Sequence, residues 1–378
     1  MSWATSTVGE CLAKVKRPGK LQTTDYQETG QFPIIDQGQG EIAGYTDQSE
    51  VVIQEPLPLV IFGDHTRRVK LAKEPFACGA DGTQLLYPNR TDLDPTFFFY
   101  AVKSIDLSNY FYARHFKFLK EQKFSFPLLP TQVRIAAVLS AYDDLIENNR
   151  RRMALLEEAA RQLYREWFVR LRFPGHEHAR IIDGVPEGWE RKTAYDALEI
   201  LSGGTPKTSV SDYWDGDIPF YTPKDAVDGL WVTDAERSIT EMGLAQCNSK
   251  LYPRETVFIS ARGTVGKLNM AQRPMAMSQS CYALFGKEGL GQPFVFFAMQ
   301  AAVEALKQQA VGAVFDAIVV ETFKRIHLLI PDEKLLRLFD ESFRLVLQQV
   351  ENLTIQNQKL GTARDLLLPR LMSGEIAV

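Results

Sequence analysis

From Ala141 to Arg172 the chain runs AYDDLIENNRRRMALLEEAARQLYREWFVRLR, 32 residues without a glycine or a proline. Along it Tyr142, Ile146, Asn149, Met153, Leu156, Ala160, Leu163 and Trp167 follow one another at spacings of four and three. That is a heptad seam, the pattern of a helix that packs along a partner helix. At about 1.5 Å per residue such a helix is roughly 48 Å long. It falls near the middle of a chain of 378 residues, too long for one ordinary core. It therefore either separates or joins two halves.

The halves on either side are mixed. Residues 1–130 carry short β-type runs (Phe32–Ile35, Val51–Ile53, Leu57–Phe62, Gln84–Tyr87) broken by turn clusters such as Gln37-Gly-Gln-Gly40 and Cys78-Gly-Ala-Asp-Gly82. The aromatic run from Phe97 reads as a buried helix leading to Tyr112, and Lys123–Pro130 as a last strand. Thr131 is the expected N-cap of the long helix, and Phe173-Pro174-Gly175 its expected stop. A polar connector follows, through His176 and His178 to Gly188. Two histidines two apart in a loop are weak metal ligands, and none is expected.

The first half then recurs. Ile218–Tyr221 is similar to Phe32–Ile35, Val257–Arg262 to Leu59–Asp64, Arg273–Met277 to Glu74–Cys78, Pro293–Ala298 to Thr96–Ala101, and Lys324–Pro331 to Lys123–Pro130. Five weak pairs in one order, at an offset near 200, indicate an internal repeat. The repeat predicts a second long helix after Pro331. Phe339, Phe343, Val346, Val350, Leu353, Asn357, Leu360, Arg364, Leu367 and Leu371 supply its seam, with Gly361 and Pro369 weakening its far end. The expected architecture is α+β: two mixed heads separated by a pair of long antiparallel coiled-coil helices with internal pseudo-twofold symmetry. Its boundaries are 1–130 for the first head, 131–173 for the central helix, 174–331 for the second head with its linker, and 332–378 for the C-terminal helix. The alternative is that each helix packs only on its own head. An asparagine in each seam, Asn149 and Asn357, costs stability and can set register.

Composition narrows the function. Net charge is −4, with +1 over residues 1–180 and −5 over residues 181–378, so this is no strongly basic nucleic-acid binder. Any DNA contact must use local patches or basic partners. The four cysteines (Cys11, Cys78, Cys247, Cys281) form no CxxC, which speaks against a zinc site or a disulfide framework and fits a reducing cytoplasm. No apolar run approaches the length of a membrane span, and MSWATSTVGE does not open a signal peptide. Catalytic patterns fail too. Gly263-Thr-Val-Gly266-Lys267-Leu268 lacks the first glycine and the hydroxyl of a phosphate loop, and no GxGxxG or GxSxG is present. Pro331-Asp-Glu-Lys334 lacks the second half of a nuclease carboxylate cluster, and no amino-methyltransferase motif is present. A binding protein is the better expectation.

Several strings now stand together: Ser202-GGTPKTS-Val210, Tyr213-WDGDIPFYTPKD-Ala226, Ser260-ARGTVGKL-Asn269 and Met277-SQSCYAL-Phe285 in the second half, with Phe62-GDHTRR-Val69 and Cys78-GADGTQLL-Tyr87 in the first. With the helical strings from Leu129 and before Ala377, they make the whole chain resemble the DNA-specificity subunit of type I restriction–modification systems. The first head departs most, carrying FGDHTRR where the second carries SARGTVG. The resemblance implies two target-recognition domains, each reading half of a split double-stranded DNA target, with the helices setting the unread spacer. It implies no catalysis and no cofactor in this chain. Two modification subunits would methylate adenine with S-adenosylmethionine, and two restriction subunits can add ATP- and Mg-dependent translocation and cleavage.

On that footing the DNA-contact candidates in the second head are Gly203, Gly204, Thr205 and Lys207 in a glycine-rich loop, then Thr222 and Lys224, Arg262, Thr264, Lys267, Gln279 and Ser280. Arg262 is the best candidate for a base contact, because arginine reads guanine bidentately; a structural ion pair is the other option. In the first head they are Gln37, Gln39, His65, Thr66, Arg67, Arg68 and Asp81, each weighed against an ordinary solvated loop. Arg150, Arg151 and Arg152 are read as a solvated helix face that phosphate or a partner could use. Two rivals stay open: a coiled-coil interaction scaffold that reads no DNA, and a degenerate methyltransferase.

Overall fold

The computed structural model describes residues 3–79, 81–109, 114–309 and 317–378. Tyr112, where the first aromatic helix was expected to lead, lies outside the described residues. The chain divides into two compact units, Met1–Glu147 with Gln358–Val378, and Asn148–Asn357.

In the first unit a four-stranded sheet has the order Gly44–Thr46, Phe32–Ile35, Phe76–Cys78, Val52–Ile53, and a three-stranded sheet the order Val69–Ala72, Leu59–Gly63, Thr83–Leu86. Every residue of Leu59–Gly63 is buried, because both faces of this strand are covered. Leu59 and Ile61 pack with Ile35, Ile53, Phe76 and Cys78. Val60 and Phe62 turn the other way, onto Phe97, Phe98 and Ala101. Alternation with period two sends the two sets to opposite faces. The helix behind is Pro95–Lys103, with proline at its first position and Asp94 Oδ1 accepting from Phe97 N at 2.7 Å. Lys123–Phe126 pairs with Ala4–Thr7, so the last strand ends four residues earlier than expected.

The second unit repeats the plan. Val257–Ser260 lies between Cys281–Gly286 and Leu268–Ala271, both antiparallel, with Leu198–Ser202 and Trp231–Val232 added at the edges. Trp214–Tyr221 runs parallel to Ala276–Met277, as Phe32–Ile35 does to Phe76–Cys78. Phe258 faces Tyr221, Tyr252 and Met277, while Val257 and Ile259 face Phe294 and Ala298 of the helix Gln292–Gln309. His327–Ile330 pairs with Glu190–Thr193, the counterpart of the first unit's terminal pair. The repeat is therefore one of topology, and it corrects the sequence match at the central strand by one residue: Ser260 N bonds Lys267 O as Gly63 N bonds Arg68 O, so Ser260 corresponds to Gly63 and not to Phe62.

Both long helices form. The central one spans Leu129–Tyr164 and continues as one π-helical turn, Arg165–Val169. It begins two residues before Thr131: Thr131 N and Gln132 N both donate to Leu128 O, and Pro130 occupies the first turn, where its missing N–H costs nothing. It also stops before Phe173-Pro174-Gly175, at Leu171 with φ of 58°. Phe168 and Phe173 both pack on Trp189, at 5.9 and 5.0 Å. Side chains five apart stand about 140° from each other on an α-helix, so the chain must unwind to bury both. The second helix, Glu333–Met372, is N-capped by Asp332, whose Oδ1 accepts from Leu335 N at 2.9 Å. It runs unbroken through Gly361 and Pro369, held at that end by Leu368 and Leu371 in the first unit's core.

Within each unit the segments pair antiparallel. In the second, Asn149 Nδ2 donates to Asn357 Oδ1 at 3.0 Å, and Met153 meets Thr354. Leu156, Leu163, Val346 and Val350 continue the contact toward a ring cluster of Tyr164, Trp167, Phe168, Phe339 and Phe343. In the first unit Asp143 takes a salt bridge from Arg364 and accepts from Tyr100 Oη at 2.6 Å. There Ile146 is buried, and Tyr142 and Leu360 half-buried; in the second unit Leu353 is buried. Both packing modes thus operate: the helices bury each other, and each also buries against its unit's own core.

Candidate nucleic-acid interface

In each unit the loops that leave the strands are stitched by the same backbone hydrogen bonds. In the second unit Ser278 N donates to Tyr221 O (2.9 Å), Ala261 N to Ser280 O (2.8 Å), Ser260 N to Lys267 O (3.0 Å) and Gly204 N to Met277 O (3.1 Å). In the first, Gly79 N donates to Ile35 O (2.9 Å), Asp64 N to Gly82 O (2.7 Å), Gly63 N to Arg68 O (2.8 Å) and Leu21 N to Cys78 O (3.1 Å). Each set draws four loops into one cluster. Nearly every candidate picked from the sequence lies on these loops.

In the second unit the tips divide into anchors and free ends. Gly203 and Gly204 are buried, and a Cβ on Gly203 would stand 2.2 Å from Ser278 O and one on Gly204 2.5 Å from Asn248 N. The close approach these glycines permit is to the chain's own backbone. Thr222 is likewise turned inward, its N–H and hydroxyl both donating to Asp225 Oδ2 at 2.8 and 2.6 Å. Thr264 donates to Pro223 O at 2.9 Å and clips two loops together. Lys267 is half-buried and paired with Asp228 at 2.6 Å. Thr205 and Ser280 are half-buried; Lys207, Lys224, Arg262 and Gln279 are exposed, and none of these four makes an ion pair among the described residues. Arg262 sits between a buried Ala261, whose N–H and O are both bonded, and Gly263 in the left-handed region at φ 78°. The backbone is fixed while the guanidinium is free, the condition a base-reading arginine needs.

In the first unit Gln37 is the hub. Its Nε2 donates to Asp81 O (2.8 Å), its Oε1 accepts from His65 N (3.1 Å), and its O accepts from Thr66 Oγ1 (2.6 Å). Arg67 is exposed, takes φ of 60° and donates from Nη1 to Leu107 O at 2.9 Å. Gln39, His65, Arg68 and Asp81 are exposed. The Lys20 ammonium, hydrogen-bonded at 2.9 Å, holds the Asp81 carboxyl below its ordinary range. Lys20 and Arg17, which donates to Thr83 O at 2.6 Å, bring a further basic segment to this cluster. The run Lys14-Val-Lys-Arg-Pro-Gly-Lys20 was its only sequence signal, weak because the run lies outside the turn clusters.

Among the described residues no group of three or more His, Cys, Asp or Glu is placed to hold a metal ion, and His176 Nδ1 is engaged with Phe173 O at 2.9 Å. Burial pushes the Cys281 thiol up to about 12 and raises Cys78 as well, so neither is a thiolate near neutral pH. Among the described residues no helix is long and apolar enough to cross a membrane.

A chain with two units of one topology, each ending in a stitched cluster of polar loops and each closed by a segment of a helix pair, belongs to the class of tandem recognition proteins. The particular family is shown by comparison: the profile of the type I restriction modification DNA specificity domain matches residues 2–158 and again 186–360, and the chain belongs to that family. Its members specify DNA and are not the catalytic subunits. Over 154 residues the chain is 28% identical to the type I restriction enzyme MjaIX specificity subunit of Methanocaldococcus jannaschii, covering 40% of this chain and 36% of that protein. Over 195 residues it is 26% identical to the HindI specificity subunit of Haemophilus influenzae, covering 51% and 42%. The matched region thus spans less than half the length of either relative. The fold is shared with the crystal structure of a type I restriction–modification S subunit from M. genitalium, at a TM-score of 0.56 and 18% identity over 98% of this chain and 96% of that one.

Proposed function

We propose that this chain reads a bipartite double-stranded DNA target, one half-site per unit, for a type I restriction–modification complex. The observation that carries the reading is the duplicated loop cluster. Two sites of one backbone design carry different tips: Gln39, His65 and Arg68 in one, Lys207, Lys224, Arg262 and Gln279 in the other. Like frames with unlike tips suit an asymmetric split target. The helix pair would set the unread spacer. Half-sites read from one face of B-DNA recur roughly every 34 Å, less than the length of either helix.

The same reading assigns two modification subunits as partners, with two restriction subunits able to join, and leaves S-adenosylmethionine, ATP and Mg to them. Exposed leucines on the helices, Leu145 and Leu366 in one unit and Leu155 and Leu345 in the other, supply apolar docking surface. Partner subunits would also contribute phosphate contacts that a chain of net charge −4 cannot supply in number. The cytoplasm is the compartment this role requires.

The test is to co-express the chain with a type I modification subunit and footprint the complex on DNA. Two protected half-sites with an unread gap are expected. A single continuous site, or binding indifferent to sequence, refutes the reading and favours an assembly scaffold. Binding of S-adenosylmethionine by this chain alone, measured calorimetrically, would favour a degenerate methyltransferase.

A further inference from the structure

Lys70 and Asn269 occupy the same place in the repeat. Lys70, on the strand Val69–Ala72, stands opposite Ile61, and Asn269, on Leu268–Ala271, stands opposite Phe258. Both are buried, at 5% and 0% exposure. Neither can touch a macromolecule. A polar side chain in such a position costs stability unless every group is satisfied, and an apolar one would cost less. Burial indeed lowers the Lys70 ammonium pKa, against the pull of Asp36 and Glu41.

What each one binds is the same loop. Lys70 Nζ donates to Gly40 O and lies 3.7 Å from Asp36 Oδ1, which accepts from Gly38 N at 2.7 Å. Lys70 therefore closes the turn 36–40 that carries Gln37 and Gln39. Asn269 uses its whole amide. Oδ1 accepts from Tyr221 Oη (3.0 Å) and Val227 N (3.2 Å), and Nδ2 donates to Val227 O (3.1 Å) and Gly229 O (2.7 Å). It closes the loop 222–229 that carries Thr222 and Lys224. From these loops the constraint passes outward. Gln37 fixes His65, Thr66 and Asp81, and Pro223 O receives Thr264, two residues from Arg262.

We propose that Lys70 and Asn269 are positioning residues for base readout, one for each unit, setting where the reading tips stand without meeting DNA themselves. The assignment rests on the reading that each unit recognises one half-site. It differs from a purely structural role in what it moves. Loosening a loop whose strands stay paired blurs the choice of base at one half-site. It leaves phosphate-driven, sequence-independent affinity in place.

The experiment selects bound duplexes from a randomised pool, using the full chain in complex with its modification subunits, and measures melting and non-specific affinity beside it. The variants are Asn269→Leu and Asn269→Ser in one unit, Lys70→Met and Lys70→Gln in the other. Asn269→Ser keeps one hydroxyl that can donate and accept without adding charge, and Lys70→Gln keeps a donor, so each graded variant carries the test where its partner fails to fold. Expected is a loss of about tenfold or more in base preference, confined to one half-site and falling on opposite halves for the two positions. The graded variants should fall between, with non-specific affinity within about twofold of the parent. Unchanged base preferences, or equal loss at both halves alongside a fall in melting temperature, overturn the assignment. A parent complex that selects no two-part motif overturns the reading beneath it, and this assignment with it.

Discussion

The amide pair Asn149–Asn357 can be weighed by a double-mutant cycle. Asn149 is 6% exposed, and its Nδ2 donates to Asn357 Oδ1 at 3.0 Å between two helices otherwise lined by Met153, Leu156, Val346 and Val350. Replacing Asn149 by leucine removes this donor from the half-buried Asn357 and sets hydrocarbon against its amide, at a cost of about 1–3 kcal/mol. Asn357→Leu does the same in reverse. The double leucine variant leaves neither amide behind and adds apolar contact, so its stability is near that of the parent or above it. The coupling between the sites is then at least about 1 kcal/mol, well outside the roughly 0.3–0.5 kcal/mol expected of independent sites. Four of the five tryptophans, Trp167, Trp189, Trp214 and Trp231, lie in the unit that contains both asparagines. Urea unfolding followed by tryptophan emission therefore reports the right unit. Additive single effects, or a double variant as damaged as the sum of the singles, refute the argument that these amides depend on each other.

Three further outcomes are expected. Arg262→Ala lowers affinity for one half-site by about 1–3 kcal/mol in competition binding with single-base variants of the target; equal loss at both halves means the residue supports the fold. Asp340 has a buried Oδ1 without a hydrogen-bond partner among the described residues, and burial raises its carboxyl to about 6. The folded state thus holds the proton more tightly than the unfolded chain, so the penalty is absent below about pH 4, grows between pH 4 and 6, and is complete above. Asp340→Asn therefore stabilises by about 1–3 kcal/mol at pH 7 and by nothing at pH 4; a gain independent of pH excludes the carboxylate as its source. Asp143→Ala strands Tyr100 Oη and removes one of the two carboxylates that Arg364 pairs with, Asp365 being the other. Discounted for the partial exposure of the ion pair, this costs about 2–3 kcal/mol, read as faster amide exchange in the first unit; unchanged exchange contradicts the estimate.

Much of this architecture was legible because it rests on periodic patterns. The heptad seams named the buried faces, and five weak matches in one order at offsets near 200 named the repeat, though at the central strand the match stood one residue out of the core alternation. Helix ends were less legible. Thr131 looked like a cap, but Gln132 holds the entry instead, accepting from Asp94 N and donating to Asp92 O and Pro127 O. The exit was decided by the two rings that share Trp189, a contact no local pattern announces. The loops were legible as loops, but not in their inner division of labour. A Gly-Gly-Thr-Pro-Lys string signals close backbone approach without saying to what, and here it approaches Ser278 and Asn248. Lys70 and Asn269 gave no sequence signal: each sits alone in a strand pattern, where a polar residue ordinarily marks the solvent face.

The two loop clusters differ in side chains while agreeing in backbone bonds, and the difference follows from how those bonds work. A main-chain N–H to carbonyl bond is indifferent to the residue that makes it, so Asp64 N to Gly82 O and Ala261 N to Ser280 O perform one task with unrelated residues. The residues next to these bonds face solvent and carry no packing duty: Arg262 beside Ala261, Gln279 beside Ser280, His65 beside Asp64. Substitution at such tips costs within about 0.5 kcal/mol of folding stability, yet it can change a base contact worth several times that. The anchors are the opposite case. Thr264, Gln37, Lys70 and Asn269 each satisfy partners in a neighbouring loop, so a change there is felt through the whole cluster. A frame of this kind lets target preference vary at its tips without renegotiating the fold, provided the few side-chain anchors stay in register with the backbone they hold.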